Sequence, residues 1–289
     1  VLQPFGLKTA ITRRRLVKGL GMASAIGGLA LTVPSTLALA ENTVRDGDDA
    51  SSSRKPSGFN VVLLHGAYAA ASSWSDVIGL LQKEGHNVLA VELPLTSLAD
   101  DIAVTRQALA SAAFAGPTVV AGHSYAGSVM TEACSGAKNV IGLVYATAFA
   151  PLKGESIVDL AGLFPAPPAN QYIVPSYRDG FIWLNPAHFP QVFCQDIKLS
   201  EARILAVSQK PIVPDCFATK VQAVAWQEIP SWFLVSKNDR SINPDLERFM
   251  AKRSGATTIE VDSSHASPVS HPRQVAGLIE AAIKHYKKA

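Results

Sequence analysis

The segment Val119-Val120-Ala121-Gly122-His123-Ser124-Tyr125-Ala126-Gly127 carries the strongest chemical signal in the chain. A β-branched run enters a small residue and a serine, and a helical pattern follows. That is the pattern of a sharp strand-to-helix turn that holds a serine hydroxyl clear of a sheet. The residues two before and two after the serine must be small, here Gly122 and Ala126. G-x-S-x-G is the usual form, so Ala126 is a departure, with Gly127 following it. The helix that starts at the turn favours developing negative charge near Ser124.

A serine hydroxyl needs an adjacent base to attack at neutral pH, and the base needs an acid to orient it. Downstream of Ser124 stand His188, His265, His271 and His285. His265 follows the last predicted strand, in a loop at its C-terminal end, and is the expected base. Asp239 follows the preceding predicted strand, Trp232-Phe233-Leu234-Val235, and is the expected acid, with Asp262 as its rival. The resulting order, Ser then Asp then His, is one of the known orders for such a triad. Stabilisation of a tetrahedral oxyanion requires two backbone N–H groups. Tyr125 supplies one, and the loop His65-Gly66-Ala67-Tyr68 supplies the other, with Ala67 the expected donor. His65 is expected to shape that loop by hydrogen bonding. Tyr68 and Trp183 are expected to line the substrate pocket.

The elements that must position these residues follow from periodicity. Asn60-Val61-Val62-Leu63-Leu64 is an unbroken apolar run, suited to a strand buried on both faces. Strands are predicted at 87–91, 118–121, 140–145, 232–235 and 257–261. Helices are predicted at 73–84, 98–113, 125–134, 245–253 and 272–286. Strands alternating with helices imply an α/β fold, a mostly parallel sheet with helices on both faces. The interval from about 151 to 230 breaks this rhythm and is rich in Pro and aromatics. It is too long for a structureless loop in a compact domain. It is expected to be a small, largely helical lid over the C-terminal edge of the sheet.

Together these motifs resemble the bacterial α/β-hydrolase group related to plant methylesterases and hydroxynitrile lyases. The resemblance rests on Leu63-Leu64-His65-Gly66-Ala67, Trp74, Gly122-His123-Ser124-Tyr125, Asp239-Arg240, Ser264-His265 and Ser270-His271-Pro272, and spans roughly 59–287. It implies an α/β-hydrolase fold whose first strand corresponds to the third of larger hydrolases, with the lid inserted after the sixth-strand equivalent. The expected activity is that of a serine carboxylic-ester hydrolase on small or medium hydrophobic esters, working through an acyl-enzyme without cofactor or metal. Two alternatives stand beside it. One is a cofactor-free lyase on the same triad, which would want a pocket cation, with Arg178, Lys198, Arg203, Lys210 and Lys220 as the lid's candidates. The other is a non-catalytic small-ligand sensor.

Hydrophobic residues make up 48% of the 289 and charged residues 17%, which predicts a sizeable core and argues against disorder. The net charge of +3 is uneven, because residues 1–40 hold five basic and no acidic residues. The rest carries a net charge of −2 and no basic footprint for nucleic acid. The basic run Arg13-Arg14-Arg15-Leu16-Val17-Lys18, the apolar stretch after it and Ala38-Leu39-Ala40 predict a twin-arginine-like export signal over 1–40. Cleavage after Ala40 is expected to leave no stable membrane anchor and a periplasmic or secreted protein. Residues 41–58 are polar and read as a linker to the catalytic domain at 59–289. Cys134, Cys194 and Cys216 offer no metal-binding spacing. In an oxidising compartment Cys194 and Cys216 are the better disulfide candidates; three buried free thiols are the other reading. The partner implied throughout is a small-molecule ester.

Overall fold

The computed structural model describes residues 58–288. The expected export signal and all but the last residue of the expected linker lie outside this range. Six strands form one parallel sheet: β1 (Asn60–Leu64), β2 (Asn87–Val91), β3 (Thr118–Ser124), β4 (Val140–Ala148), β7 (Ser231–Ser236) and β8 (Thr257–Val261). Their order across the sheet is β2-β1-β3-β4-β7-β8. The chain runs outward from β1 to β2, then crosses back to add β3 on the other side of β1. That reversal opens a crevice at the C-terminal ends of β1 and β3, where open α/β sheets bind ligands.

Strand periodicity splits the core into two layers. Val61, Leu63, Val119, Ala121, Val144 and Ala146 face one side. They are covered there by α1 (Ser75–Lys83) and by α10 (Pro272–Tyr286). Val62, Leu64, Val120, Leu143 and Tyr145 face the other. That side is covered by α2 (Leu98–Ala110), α3 (Ala126–Ala133) and α8 (Pro244–Arg253). Each inner strand is buried on both faces, which is why its sequence reads as a continuous apolar run rather than an alternating one. The expected helix at 98–113 stops earlier: α2 ends at Ala110 and a short 3-10 turn follows at Ala112–Phe114.

The chain between β4 and β7 forms the lid. It contains α4 (Ile157–Ala161), a hairpin of β5 (Ile173–Pro175) and β6 (Ile182–Leu184), then α5 (Phe189–Val192), α6 (Leu199–Val207) and α7 (Asp215–Ala218). The lid is largely helical, as expected, and the antiparallel hairpin is an addition to it. The hairpin's strands are three residues each, too short for a period-2 pattern to register. A last short helix, α9 (Ser267–Ser270), lies just before α10. All three cysteines are free and buried, so Cys194 and Cys216 are not bridged. Among the described residues no helix is long and apolar enough to cross a membrane.

Candidate active site

The turn after β3 puts Ser124 in a left-handed conformation, φ 55°. A β-carbon on Gly122 would sit 2.9 Å from the Met130 sulfur and 3.0 Å from the Ala126 carbonyl oxygen. A β-carbon on Gly66 would sit 2.7 Å from Ser124 Cβ, so the loop after β1 closes on the serine only because residue 66 is glycine. At Gly127 a β-carbon would overlap the Phe149 carbonyl oxygen. The closest backbone approach is therefore at Gly127, and the methyl of Ala126 is accommodated one residue earlier, fully buried.

Ser124, His265 and Asp239 come together. The Ser124 hydroxyl lies 2.9 Å from His265 Nε2, and His265 Nδ1–H donates to Asp239 Oδ2 at 2.6 Å. All three are buried. The other Asp239 oxygen accepts the backbone N–H groups of Ser241 (2.6 Å) and Ile242 (3.0 Å), which fixes the plane of the carboxylate. This arrangement places the imidazole proton on Nδ1 and leaves Nε2 free to accept from the serine. The rival Asp262 instead pairs with Lys237 at 2.8 Å. The other histidines are occupied elsewhere: His188 stacks on Tyr172, His271 bonds the Ser270 hydroxyl, and His285 packs on Trp232.

Ala67 and Tyr125 flank the serine. Neither backbone N–H donates to another protein group among the described residues. Ala67 and Ser124 line one cavity. His65 behaves as expected: its Nε2 accepts the Leu93 N–H at 3.0 Å, so Nδ1 carries the proton and bonds the Gly66 carbonyl at 2.9 Å.

Two supporting residues escaped the sequence reading, and a third, His123, entered it only as part of the motif around Ser124. Buried Asp101 on α2 accepts the Tyr125 hydroxyl at 2.7 Å and the Leu95 N–H at 2.8 Å. It thereby anchors the side chain of the residue that follows Ser124. Asp196 in the lid accepts the Ser264 N–H at 2.8 Å and holds the loop that carries His265. His123 Nε2–H donates to the His265 carbonyl at 2.8 Å. His123 adjoins the serine in sequence, so its position was a signal; Asp101 and Asp196 gave none, since both resemble ordinary surface carboxylates in the sequence.

The cavity beside Ser124 and His265 has a volume of about 220 Å³. Its wall is mainly apolar, from the lid (Ile157, Ile173, Leu184, Phe217) and from Phe149 and Leu246. Tyr68 lines it, as expected; Trp183 does not. Ile173 pairs with Leu184 and Val174 with Trp183, so alternation along the hairpin sends Ile173 and Leu184 to the cavity. Trp183 is turned to the opposite side, edge-on to Tyr177. Among the described residues no Lys, Arg, Asp or Glu lines this cavity. None forms, with His or Cys, a cluster suited to a metal ion.

The model of the alpha/beta hydrolase family matches residues 61–278. An alpha/beta hydrolase of Aspergillus novofumigatus, nvfD, is 25% identical over 246 residues, 77% of this chain and 95% of that protein. An extracellular alpha/beta-hydrolase from a Paenibacillus species superposes with a TM-score of 0.65 at 23% identity, over 78% of this chain and 98% of that one. A methylesterase from Arabidopsis superposes with a TM-score of 0.66 at 15% identity, over 78% and 99%.

Proposed function

The chain belongs to the alpha/beta hydrolase family, and from that premise we propose that it is a serine carboxylesterase for small or medium hydrophobic esters. The observation that carries this reading is the continuous chain Ser124–His265–Asp239, at 2.9 and 2.6 Å, opening on an apolar cavity. In the proposed cycle His265 Nε2 takes the Ser124 proton as Oγ attacks the ester carbonyl. The N–H groups of Ala67 and Tyr125 stabilise the oxyanion. His265 then protonates the departing alcohol, and Asp239 stabilises the imidazolium in between. Water, activated by the same imidazole, releases the acid and restores Ser124. The cycle calls on no metal or cofactor, and its partner is the small-molecule ester.

The cavity wall also bears on the choice between hydrolase and lyase. Lys210 pairs with Glu92 and Lys220 lies near Asp159, while Arg178 covers the Phe181 ring. With Lys198 and Arg203, they all stay off the cavity wall. A lyase that needs a cation beside its leaving group has no such group there. The methylesterase likeness is in keeping with ester chemistry, and the extracellular likeness with an exported enzyme.

The test is a panel of p-nitrophenyl esters of varied acyl length with wild type and Ser124→Ala. Wild type is expected to turn over the short and medium esters and to be labelled at Ser124 by a fluorophosphonate. Ser124→Ala is expected to lose both; retained turnover in that variant refutes the assignment. Export is tested separately, by the mass of the periplasmic or secreted protein, which is expected to begin at Glu41.

A further inference from the structure

A fourth ionisable group stands behind the three. Glu247 lies in the first turn of α8 and is wholly buried. Its Oε2 accepts the Ser236 N–H at 3.0 Å, at the end of β7. Its Oε1 has no hydrogen-bond partner among the described residues. Asp239 is its acidic neighbour: Ser236, which donates its N–H to Glu247, accepts the Asp239 N–H on its own carbonyl at 3.1 Å. Two ionised carboxylates so close, away from water, repel strongly, so one of them keeps a proton.

The surroundings decide which one. Asp239 accepts two backbone N–H groups and the His265 imidazole, three donors that favour its charged form. Glu247 accepts one N–H. The charged groups near it are Asp239, from the loop after β7, and Arg248, its neighbour on α8; His265 lies beyond Asp239. Arg248 is directed outward, to Glu260 at 2.8 and 3.0 Å and to Asp245 at 2.8 Å. Burial first, and the Asp239 charge second, push the Glu247 carboxyl well above the usual carboxylate range, against the weaker pull of the Ser236 N–H and Arg248.

We propose that Glu247 is a positioning residue: a neutral carboxylic acid whose Oε1–H donates to Asp239, holds that carboxylate toward His265 and tempers the basicity of His265. The inference rests on the reading of Ser124, His265 and Asp239 as a triad. A donor shared with Asp239 draws off part of the charge that the His265 Nδ1–H meets. Removal of that donor is therefore expected to move the acid limb of the activity profile upward.

Two measurements test this. In the infrared, wild type at neutral pH is expected to show a protonated carboxylic acid C=O band, distinct from the ionised carboxylates, that disappears in Glu247→Gln. A spectrum without that band overturns the proposal whatever the activities are. The second is the pH dependence of kcat/KM on a p-nitrophenyl ester. Glutamine keeps an N–H donor for Asp239 and an acceptor for Ser236, so Glu247→Gln should lose only a few-fold and keep the acid limb in place. Glu247→Leu removes the donor; its kcat should fall by roughly ten-fold and its acid limb should rise, with KM little changed. If Glu247 were ionised, Gln would remove a charge and shift the acid limb downward, which refutes the idea. A merely structural role would lower the amount of folded Leu variant without moving its acid limb, and refutes it equally. Ser124→Ala run alongside separates the failures: activity surviving there sinks the triad itself, whereas its loss with an unmoved Glu247→Leu profile sinks only this inference.

Discussion

His123 Nε2–H donates to the carbonyl oxygen of His265 at 2.8 Å, so the residue before the proposed nucleophile grips the backbone of the proposed base. His123 is buried, and burial first, with the neighbouring His265 second, holds its imidazole well below the usual range. It is therefore a neutral donor whose proton resides on Nε2, and it ties the end of β3 to the loop after β8. His123→Ala leaves a buried carbonyl unpaired and a void beside it. The expected cost is about 2–4 kcal/mol of stability and, because the Ser124–His265 distance is no longer fixed, a fall in kcat of roughly 10- to 100-fold. Urea unfolding and steady-state kinetics read the two separately. Lost stability with an unchanged kcat in the folded fraction would mean that His123 supports the fold and not the alignment.

Asp239→Asn should be more damaging than its size suggests. The Ser241 and Ile242 N–H groups bind one oxygen of residue 239, so the asparagine oxygen will take that place and its NH2 will face His265. A donor there forces the imidazole proton from Nδ1 to Nε2, and Ser124 loses its acceptor. With the fold intact, kcat is expected to fall by about 10⁴-fold, with KM changed much less. Steady-state kinetics on a chromogenic ester checks it; a fall of only a few-fold would mean that the tautomer is not set by residue 239.

Most of this architecture was legible because the inner strands are buried on both faces. Runs such as Asn60–Leu64 and Thr118–Ser124 are apolar throughout, and the helices that follow them keep a helical period. Ser124, Asp239 and His265 were legible because each follows a strand at the same edge of the sheet. The lid's place was legible too, but its hairpin was not, because β5 and β6 have three residues each and take their faces from pairing with one another. Trp183 shows the consequence: an aromatic in a Pro-rich lid looks like pocket lining, yet the hairpin register gives that place to Leu184. Asp101 and Glu247 stayed hidden for a different reason. Each sits on an amphipathic helix among other acidic residues, and only tertiary packing shows which carboxylate is buried.

The departure at Ala126 makes a test of the turn. A β-carbon at Gly127 would overlap the Phe149 carbonyl oxygen at the end of β4, whereas the Ala126 methyl already has room. Gly127→Ala must therefore push α3 from β4, and is expected to cost about 3 kcal/mol or more and most of the activity. Ala126→Gly removes one buried methyl and adds backbone freedom, for a loss of about 1–2 kcal/mol with kcat within a few-fold of wild type. Thermal unfolding of the two variants, with ester kinetics, should reproduce this asymmetry. Equal damage at the two positions would refute it.

Tyr125→Phe links stability to pH through Asp101. Burial, the largest influence, raises the Asp101 carboxyl above its usual range, while the Tyr125 hydroxyl and the Leu95 N–H oppose the rise. A folded-state pKa above the unfolded value, about 3.9, means that folding takes up a proton in the window between them. The stability from this group is complete below that window and declines as pH rises through it. Tyr125→Phe deletes one donor to the ionised form, raises the folded pKa further and widens the window upward. Its penalty should thus be small near pH 4, about 0.5–1 kcal/mol, and larger near pH 7, about 2–3 kcal/mol. Urea unfolding of wild type and variant at the two pH values measures the difference directly. Because the Tyr125 N–H is a proposed oxyanion donor, release of the side chain from Asp101 should also lower kcat more than it changes KM. A penalty equal at both pH values would show that Tyr125 acts through packing against Phe217 and not through the Asp101 charge.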